Sequence, residues 1–250
     1  MMLDGLLWFA LTLLPLVFLQ RFLHREIQAV FLILTRNQTF TVGLFSLLFF
    51  PGVLLHELSH FLTARLLGVR TGQFSLIPQV TKDGRIILGY VETARADVVR
   101  DSLIGAAPLI AGGLFLAFIA APRLELPALW GFAQAAQFDL FWQALAVIPR
   151  VNDFPLWFYL TFAVSSTMLP SSADRHAWTP LAVWVAALFA LIVIAGAGPW
   201  MLEHVAPLLN DFLRAVATIF GLSAAVHVIL LLPTYLVHRM LSRVTHLDVQ

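Results

Sequence analysis

The sequence contains no cysteine, and this absence excludes two kinds of chemistry. Disulfide bonds cannot form and no thiolate can bind a metal, so any metal must be held by His, Asp or Glu. Charge is also scarce, because charged residues make up 12% of the 250 residues and the formal net charge is +1. The basic residues are scattered along the chain rather than clustered, which argues against nucleic acid as a partner.

Long polar stretches are missing as well. Hydrophobic residues make up 60% of the chain and the mean hydropathy is +0.88, values typical of polytopic membrane proteins and far from those of soluble domains. No internal repeat and no soluble domain is visible, so the sequence predicts one membrane-embedded α-helical domain over residues 1–250. The opening run 1–19 has no basic n-region and no small-x-small cleavage site, so we expect a retained span.

Apolar runs of membrane length predict about six transmembrane helices within a lipid bilayer. They lie at 6–22, 41–67, 101–121, 154–169, 180–202 and 220–241, and Arg21, His24 and Arg25 mark the far interface of the first. An even number of spans places both termini on one side, together with most of the arginines. The positive-inside rule therefore predicts cytoplasmic termini in a membrane of the bacterial inner-membrane type.

A short β-structure is predicted after the second span. Two β-rich runs, 73–80 and 85–93, flank the turn signal Thr81-Lys82-Asp83-Gly84, which is typical of a β-hairpin. The hairpin is either an extramembrane connection or a sheet whose free edge pairs with an extended substrate. In the second interpretation Phe74 and Leu76 lie on the substrate-binding edge.

The motif His56-Glu57-Leu58-Ser59-His60 lies inside the second predicted span. Residues four apart on a helix share one face, so His56 and His60 have the spacing at which two imidazoles bind one Zn²⁺. A carboxylate at Glu57 can take a proton from the water that attacks a carbonyl and return it to the leaving amine. Charged side chains in a membrane cost about 2.5 to 3.5 kcal/mol, which favours a functional role for the motif.

A catalytic zinc site needs a third protein ligand. The candidates are Asp174, His176, Glu203, His204 and His227. We favour Asp174 because it follows a polar, Pro-broken helix end on the same predicted side as the histidine pair. Glu203 and His204 fall at the opposite surface, and a lone histidine in an apolar helix, such as His227, is more often packed and hydrogen-bonded. His176 remains the alternative ligand.

Three stretches together resemble the site-2 protease type of intramembrane zinc metalloproteases. The motif 56–60 matches that family's His-Glu-x-x-His, Gly105-Ala-Ala-Pro-Leu109 resembles its small-residue helix, and 167–174 resembles a shortened form of its Asn- and Asp-containing stretch. The resemblance covers about residues 43–178, which leaves 179–242 as extra helices. It implies a zinc cofactor held by His56, His60 and Asp174, with Glu57 as the catalytic residue.

The resemblance implies an endopeptidase that cleaves a protein or peptide substrate within or beside a transmembrane segment. Ser166 or Thr167 would then hydrogen-bond the substrate backbone. Thr167 stands where the family has Asn, and Arg175 stands where it has Gly. These departures keep a second function open: an inactive relative with a structural or assembly role among other membrane subunits. The lack of repeated halves disfavours a transporter.

Overall fold

The computed structural model describes residues 4–80 and 86–247, which form a bundle of helices with a small β-ribbon. Its helices and strands are α1 (Gly5–Thr35), α2 (Gln38–Leu66), β1 (Thr71–Ser75), β2 (Gln79–Val80), β3 (Ile86–Ile87), β4 (Tyr90–Thr93), α3 (Val98–Phe115), α4 (Ala121–Arg123), α5 (Leu126–Gln134), α6 (Phe138–Val147), α7 (Phe154–Thr167), α8 (Trp178–Ile192) and α9 (Gly198–Thr245). Local capping explains where two of the site-bearing helices begin. The Asn37 side chain accepts from two amides at the start of α2, and Asp97 does the same for α3.

Four helical stretches are long and apolar enough to cross a membrane. They are Gly5–Thr35, Gln38–Leu66, Val98–Arg123 and Trp178–Thr245. They confirm the predicted α-helical membrane class, whereas the predicted count of about six spans is not confirmed. The fourth predicted span yields a helix of only 14 residues, and the fifth and sixth fall in one helical stretch that kinks at Gly196, where φ is 86°.

α1 and α9 run parallel to each other. The Gly5 amide donates to Asn210 Oδ1 at 2.7 Å near the beginning of α1, and Glu26 Oε2 lies 2.6 Å from His238 Nδ1 further along both helices. The two ends of the described chain therefore lie at opposite ends of this helix pair. On which side of a membrane each end lies stays a prediction.

α2 returns along α1, since Thr35 and Thr41 touch at their junction and the His24 ring packs on Phe45 and Phe49. α8 begins beside α3, because the Trp178 indole donates to the Ser102 carbonyl at 3.3 Å. The fifth and sixth predicted spans both fall in the helical stretch that starts there, Trp178–Thr245, and count as one membrane-length stretch.

The predicted β-hairpin is confirmed for its described residues. β1 pairs with β4 and β2 pairs with β3, both antiparallel, with Phe74 opposite Val91 and Val80 opposite Ile86. The predicted turn 81–84 lies outside the described residues. Gly89, between β3 and β4, lies directly on α2, where an added Cβ would come within 2.9 Å of Glu57 Cγ. The ribbon therefore covers the face of α2 that carries the histidine motif.

The α2 residues of the bundle core lie about one to three helical turns before the motif. A cluster of aliphatic and phenylalanine side chains from α1, α2, α7 and α9 fills this core, formed by Leu23, Ile27, Phe45, Phe49, Val53, Phe162 and Val226. α7 approaches α2 at Gly52, where a Cβ would overlap the Ala163 carbonyl oxygen. This close approach brings the carboxyl end of α7 to the first histidine of the motif.

Candidate metal centre

The two histidines of α2 face each other across one helical turn. His56 Nε2 and His60 Nε2 are 3.2 Å apart, His60 is buried and His56 is half-buried. This arrangement is the one that the four-residue spacing predicts for a helix. Both imidazoles therefore present the same ring nitrogen to one point.

Asp174 reaches that point from the loop between α7 and α8. Its Oδ1 lies 3.2 Å from His60 Nε2 and its Oδ2 lies 3.7 Å from His56 Nε2. Ligand atoms of all three residues lie within 4.8 Å of one another. Ligands placed tetrahedrally at about 2.0 to 2.1 Å from a zinc ion are about 3.3 Å apart, so the spacing of these side chains fits such an ion.

The protonation of both histidines follows from their second nitrogens. His56 Nδ1 is 2.6 Å from the Thr167 carbonyl oxygen, and His60 Nδ1 is 2.8 Å from that of Ile104. A carbonyl only accepts hydrogen bonds, so each Nδ1 carries a proton and each Nε2 is the nitrogen that faces the cluster. Carbonyl or carboxylate partners of this kind fix the tautomer of metal-binding histidines in proteins.

Asp174 is held in place by its own loop. The Ser171 amide donates to Asp174 Oδ2 at 2.7 Å, and the Asp174 amide donates to Ser171 Oγ at 3.2 Å. Burial raises the pKa of the Asp174 carboxyl, but its contacts with His56, His60 and Ser171 lower that pKa by more, so it lies below the ordinary value. The group is therefore a carboxylate and offers only acceptor atoms.

Glu57 lines a cavity of about 610 Å³ together with His56, His60 and Asp174. The Glu57 side chain is buried, and the β3–β4 segment closes over it at Gly89. Further walls come from α3 at Ile104 and Gly105 and from the loop at 171–174. The cavity thus places a carboxylate beside a possible metal position and leaves space for a bound chain.

The other candidate ligands lie outside the cluster of His56, His60 and Asp174, although His176 also lines the cavity. His176 Nε2 is 3.5 Å from Asp101 Oδ2 and its Nδ1 is 2.7 Å from the Ala173 carbonyl, so this ring is directed toward α3. His227 is buried between Ser166 and the Ser223 carbonyl. His204 contacts the Trp200 carbonyl near the start of α9, and neither it nor Glu203 belongs to the described cluster.

The residues predicted to bind substrate separate into two groups. Ser166 and Thr167 line the cavity, but both hydroxyls already have partners, His227 Nε2 at 3.0 Å and the Ala163 carbonyl at 3.0 Å. Phe74 packs edge-on against Phe61 with ring centroids 6.0 Å apart, and Leu76 packs against the core cluster. The ribbon residues that line the cavity are 86–91 and 93, on the opposite strands. A substrate role for the four residues stays a prediction.

His24 is the wall residue whose role the sequence did not indicate. Its place beside Arg21 and Arg25 suggested the membrane interface, yet the structure places it in the wall of the cavity. The sequence also could not identify the Thr167 and Ile104 carbonyls as partners of the histidines, because every residue has a backbone carbonyl.

Comparisons with protein-family models, curated proteins and solved structures find no match to this chain.

Proposed function

We propose that this protein is a zinc-dependent intramembrane endopeptidase and a divergent member of the site-2 protease type. One observation carries the proposal: His56 Nε2, His60 Nε2 and the Asp174 carboxylate converge within 4.8 Å beside the carboxylate of Glu57. The three motifs that resemble the family support the same conclusion. Their two histidines, the Gly105 helix and Asp174 lie far apart in sequence but meet at this cavity.

The electrostatics of the cluster favour a cation. With both Nδ1 protons held by carbonyls, the two Nε2 atoms and a carboxylate face one another at 3.2 to 3.7 Å. In the neutral imidazoles each Nε2 has a lone pair, and three acceptors at this distance repel one another unless a positive charge, a proton or a metal ion, lies between them. His, His and Asp form a nitrogen and oxygen donor set that suits zinc, and they leave a further position for water or substrate.

The chain's own residues can perform peptide hydrolysis. A bound zinc ion would supply Lewis acidity that polarises the scissile carbonyl. Glu57 takes a proton from the water whose oxygen adds to the carbonyl carbon. It gives that proton to the amine nitrogen as the C–N bond breaks, which yields one carboxyl group and one amine. Burial under Gly89 keeps bulk water away from the carboxylate.

The cavity walls favour a substrate in extended conformation. A transmembrane helix holds its carbonyls in internal hydrogen bonds, so a scissile segment must unwind before attack. The β3–β4 side of the ribbon lines the cavity, and a strand edge supplies the backbone partners that an unwound segment needs. We therefore place strand addition at 86–91, rather than at Phe74 and Leu76.

Replacement of Glu57 tests the reaction. Glu57→Gln should lower cleavage of a synthetic single-span substrate by about 10²- to 10⁴-fold, the usual contribution of general acid–base catalysis. Zinc content should stay unchanged, because Glu57 is outside the ligand group. The measurement is cleavage by purified protein in detergent, with Glu203→Gln, outside the cavity, as the matched control. Equal rates for Glu57→Gln and wild type would exclude Glu57 as the base.

An inactive structural subunit is the second candidate. The observation that favours it is α8, an apolar helix without a buried residue, which lipid or another membrane subunit would cover. Under this function the wild-type protein retains zinc but cleaves no single-span substrate. The same cleavage assay therefore separates the two candidates.

Membrane topology provides an independent test. We propose that the start of α1 and the β-ribbon face the cytoplasm of a bacterial-type inner membrane and that the end of α9 faces the other side. Reporter tags fused at Met1 and at Gln250 should then report opposite compartments, because α1 and α9 run parallel. Tags in the same compartment would restore an even number of spans and contradict the parallel crossing of these helices.

A further inference from the structure

The carboxyl end of α7 is held by side chains of other helices. The last four carbonyls of a helix have no partner inside that helix. At this end the Gln20 amide of α1 donates to the Ser166 carbonyl, and His56 Nδ1 of α2 donates to the Thr167 carbonyl at 2.6 Å. The second contact fixes the tautomer of a candidate metal ligand, so the position of this helix end matters for the metal centre.

A further contact at this helix end comes from His227 of α9. Its Nδ1 donates to the Ser223 carbonyl at 2.7 Å, so in the neutral ring Nε2 accepts from the Ser166 hydroxyl at 3.0 Å. His227 and Ser166 are both buried. Ser166 is thus bound from two sides, by α1 through its carbonyl and by α9 through its hydroxyl.

Packing alone does not account for this polar pair. The His227 ring packs edge-on against Phe162 of α7 with centroids 5.7 Å apart, a contact that a phenylalanine could also make. Replacing both partners of a buried hydrogen bond by apolar groups of the same shape can be nearly neutral for stability. What the hydrogen bond adds is direction, because the donor hydrogen must point toward the acceptor. The pair therefore fixes the rotation of the last turn of α7.

A shift of Ser166 reaches the metal centre through the next residue. Helix geometry fixes the position of each residue relative to the preceding one, so the Thr167 carbonyl moves with Ser166. The His56 ring follows the carbonyl that its Nδ1 binds. Its Nε2 then changes position relative to His60 Nε2, which lies 3.2 Å away.

The same two helices, α1 and α9, also hold the start of the loop that carries Asp174. Met168 follows α7 directly and is buried in an apolar cluster with Leu16 of α1 and Phe220 of α9. α1 and α9 therefore act on both parts of the cluster that α7 connects, the His56 ring and the Asp174 loop.

We propose that His227 is a positioning residue of the candidate metal centre, which holds Ser166 so that the Thr167 carbonyl orients His56. The inference rests on the proposed function, in which His56 binds zinc. It also assigns a role to α9. The resemblance to the site-2 protease type ends near residue 178, and a helix beyond that point keeps a metal ligand in place.

The zinc affinity of the purified full chain in detergent tests the proposal. His227→Phe keeps an aromatic ring but removes the acceptor for Ser166, so it should lower the affinity about tenfold, the lower end of the usual range for groups that orient a ligand. The absorption bands of the Co²⁺-loaded protein, which depend on ligand geometry, should shift as well. His227→Gln, which keeps an acceptor, should recover part of the lost affinity.

Ser166→Ala removes the same hydrogen bond from its donor side with a smaller change in volume, and it replaces His227→Phe if that variant does not fold. Its zinc affinity should also fall about tenfold. The double variant should lose no more than either single variant, because both substitutions remove one shared interaction.

Ser223→Ala is the matched control, because it removes another buried hydroxyl from α9, one that bonds the Ile219 carbonyl of the same helix at 2.8 Å. It keeps the Ser223 carbonyl that His227 binds, so its zinc affinity should match wild type. Wild-type affinity in both His227→Phe and Ser166→Ala would overturn the proposal, and so would an equal loss in Ser223→Ala.

A cleavage assay with a single-span substrate identifies which conclusion fails. Zinc binding that depends on His227 but is accompanied by no cleavage would contradict the endopeptidase function alone. Cleavage together with zinc binding that does not respond to His227→Phe or Ser166→Ala would contradict the role of His227 alone.

Discussion

Asp174→Ala is expected to release the metal from the purified protein, whereas His176→Ala is expected to leave it bound. The Asp174 carboxylate lies 3.2 Å from His60 Nε2, while His176 Nε2 lies 3.5 Å from Asp101 Oδ2 and His176 is outside the cluster of ligand-type atoms. Mutation of a group that merely orients a metal ligand costs about 10- to 100-fold in affinity, so loss of a ligand should cost more. Elemental analysis should find about one zinc per chain in wild type.

Protein folding must be controlled in the same experiment. Both variants should keep the far-UV circular dichroism and the detergent elution volume of wild type, because Asp174 and His176 lie in a loop outside the bundle core. Asp174→Asn offers a smaller change, since it keeps the Ser171 turn but removes the negative charge. The reverse pattern, with zinc lost in His176→Ala and kept in Asp174→Ala, would make His176 the third ligand.

Local sequence rules were sufficient for the histidine pair. The four-residue spacing of His56 and His60 depends only on helix geometry, and the structure places their Nε2 atoms 3.2 Å apart. Asp174 could be favoured because a polar, Pro-broken helix end is unusual beside an apolar span. The position of its carboxylate could not be predicted from the sequence, because it depends on how the loop between α7 and α8 packs against α3 and α2.

Other features depend on long-range packing and had no local signal. Hydropathy identifies apolar segments but not their direction, so the parallel course of α1 and α9 had no signal in the sequence. His24 was interpreted as an interfacial residue because Arg21 and Arg25 are its neighbours in sequence. In the folded helix it points to a different environment, where its partners are aromatic rings of α2.

α3 contributes to two parts of the candidate metal centre at once. The Ile104 carbonyl accepts from His60 Nδ1, and at the next residue, Gly105, the backbone of α3 directly contacts Asp174. One turn of this helix therefore sets both the tautomer of one candidate ligand, His60, and the position of another, Asp174. A displacement of the loop from α3 would change the spacing between Asp174 and the histidines without altering any ligand.

Gly105→Ala is expected to lower zinc affinity by about 10- to 100-fold although it changes no ligand, a loss similar to that from mutating other orienting groups. An added Cβ would overlap the Asp174 carbonyl oxygen, so the loop must move away from α3. The Asp174 carboxylate then retreats from His56 and His60. Titration of metal-free protein with zinc and a competing chelator measures the change.

Gly113→Ala is the matched control because it makes the same substitution in the same helix. Its Cβ would meet only Ile219 Cδ1, at an ordinary 3.9 Å, so zinc affinity should match wild type. Alanine is favoured over glycine in a helix by about 1 kcal/mol, and this gain applies to both variants, so general destabilisation of α3 cannot explain a difference between them. Equal zinc affinity in the two variants would show that the loop can move from Gly105 without moving the carboxylate, and α3 would then not position Asp174.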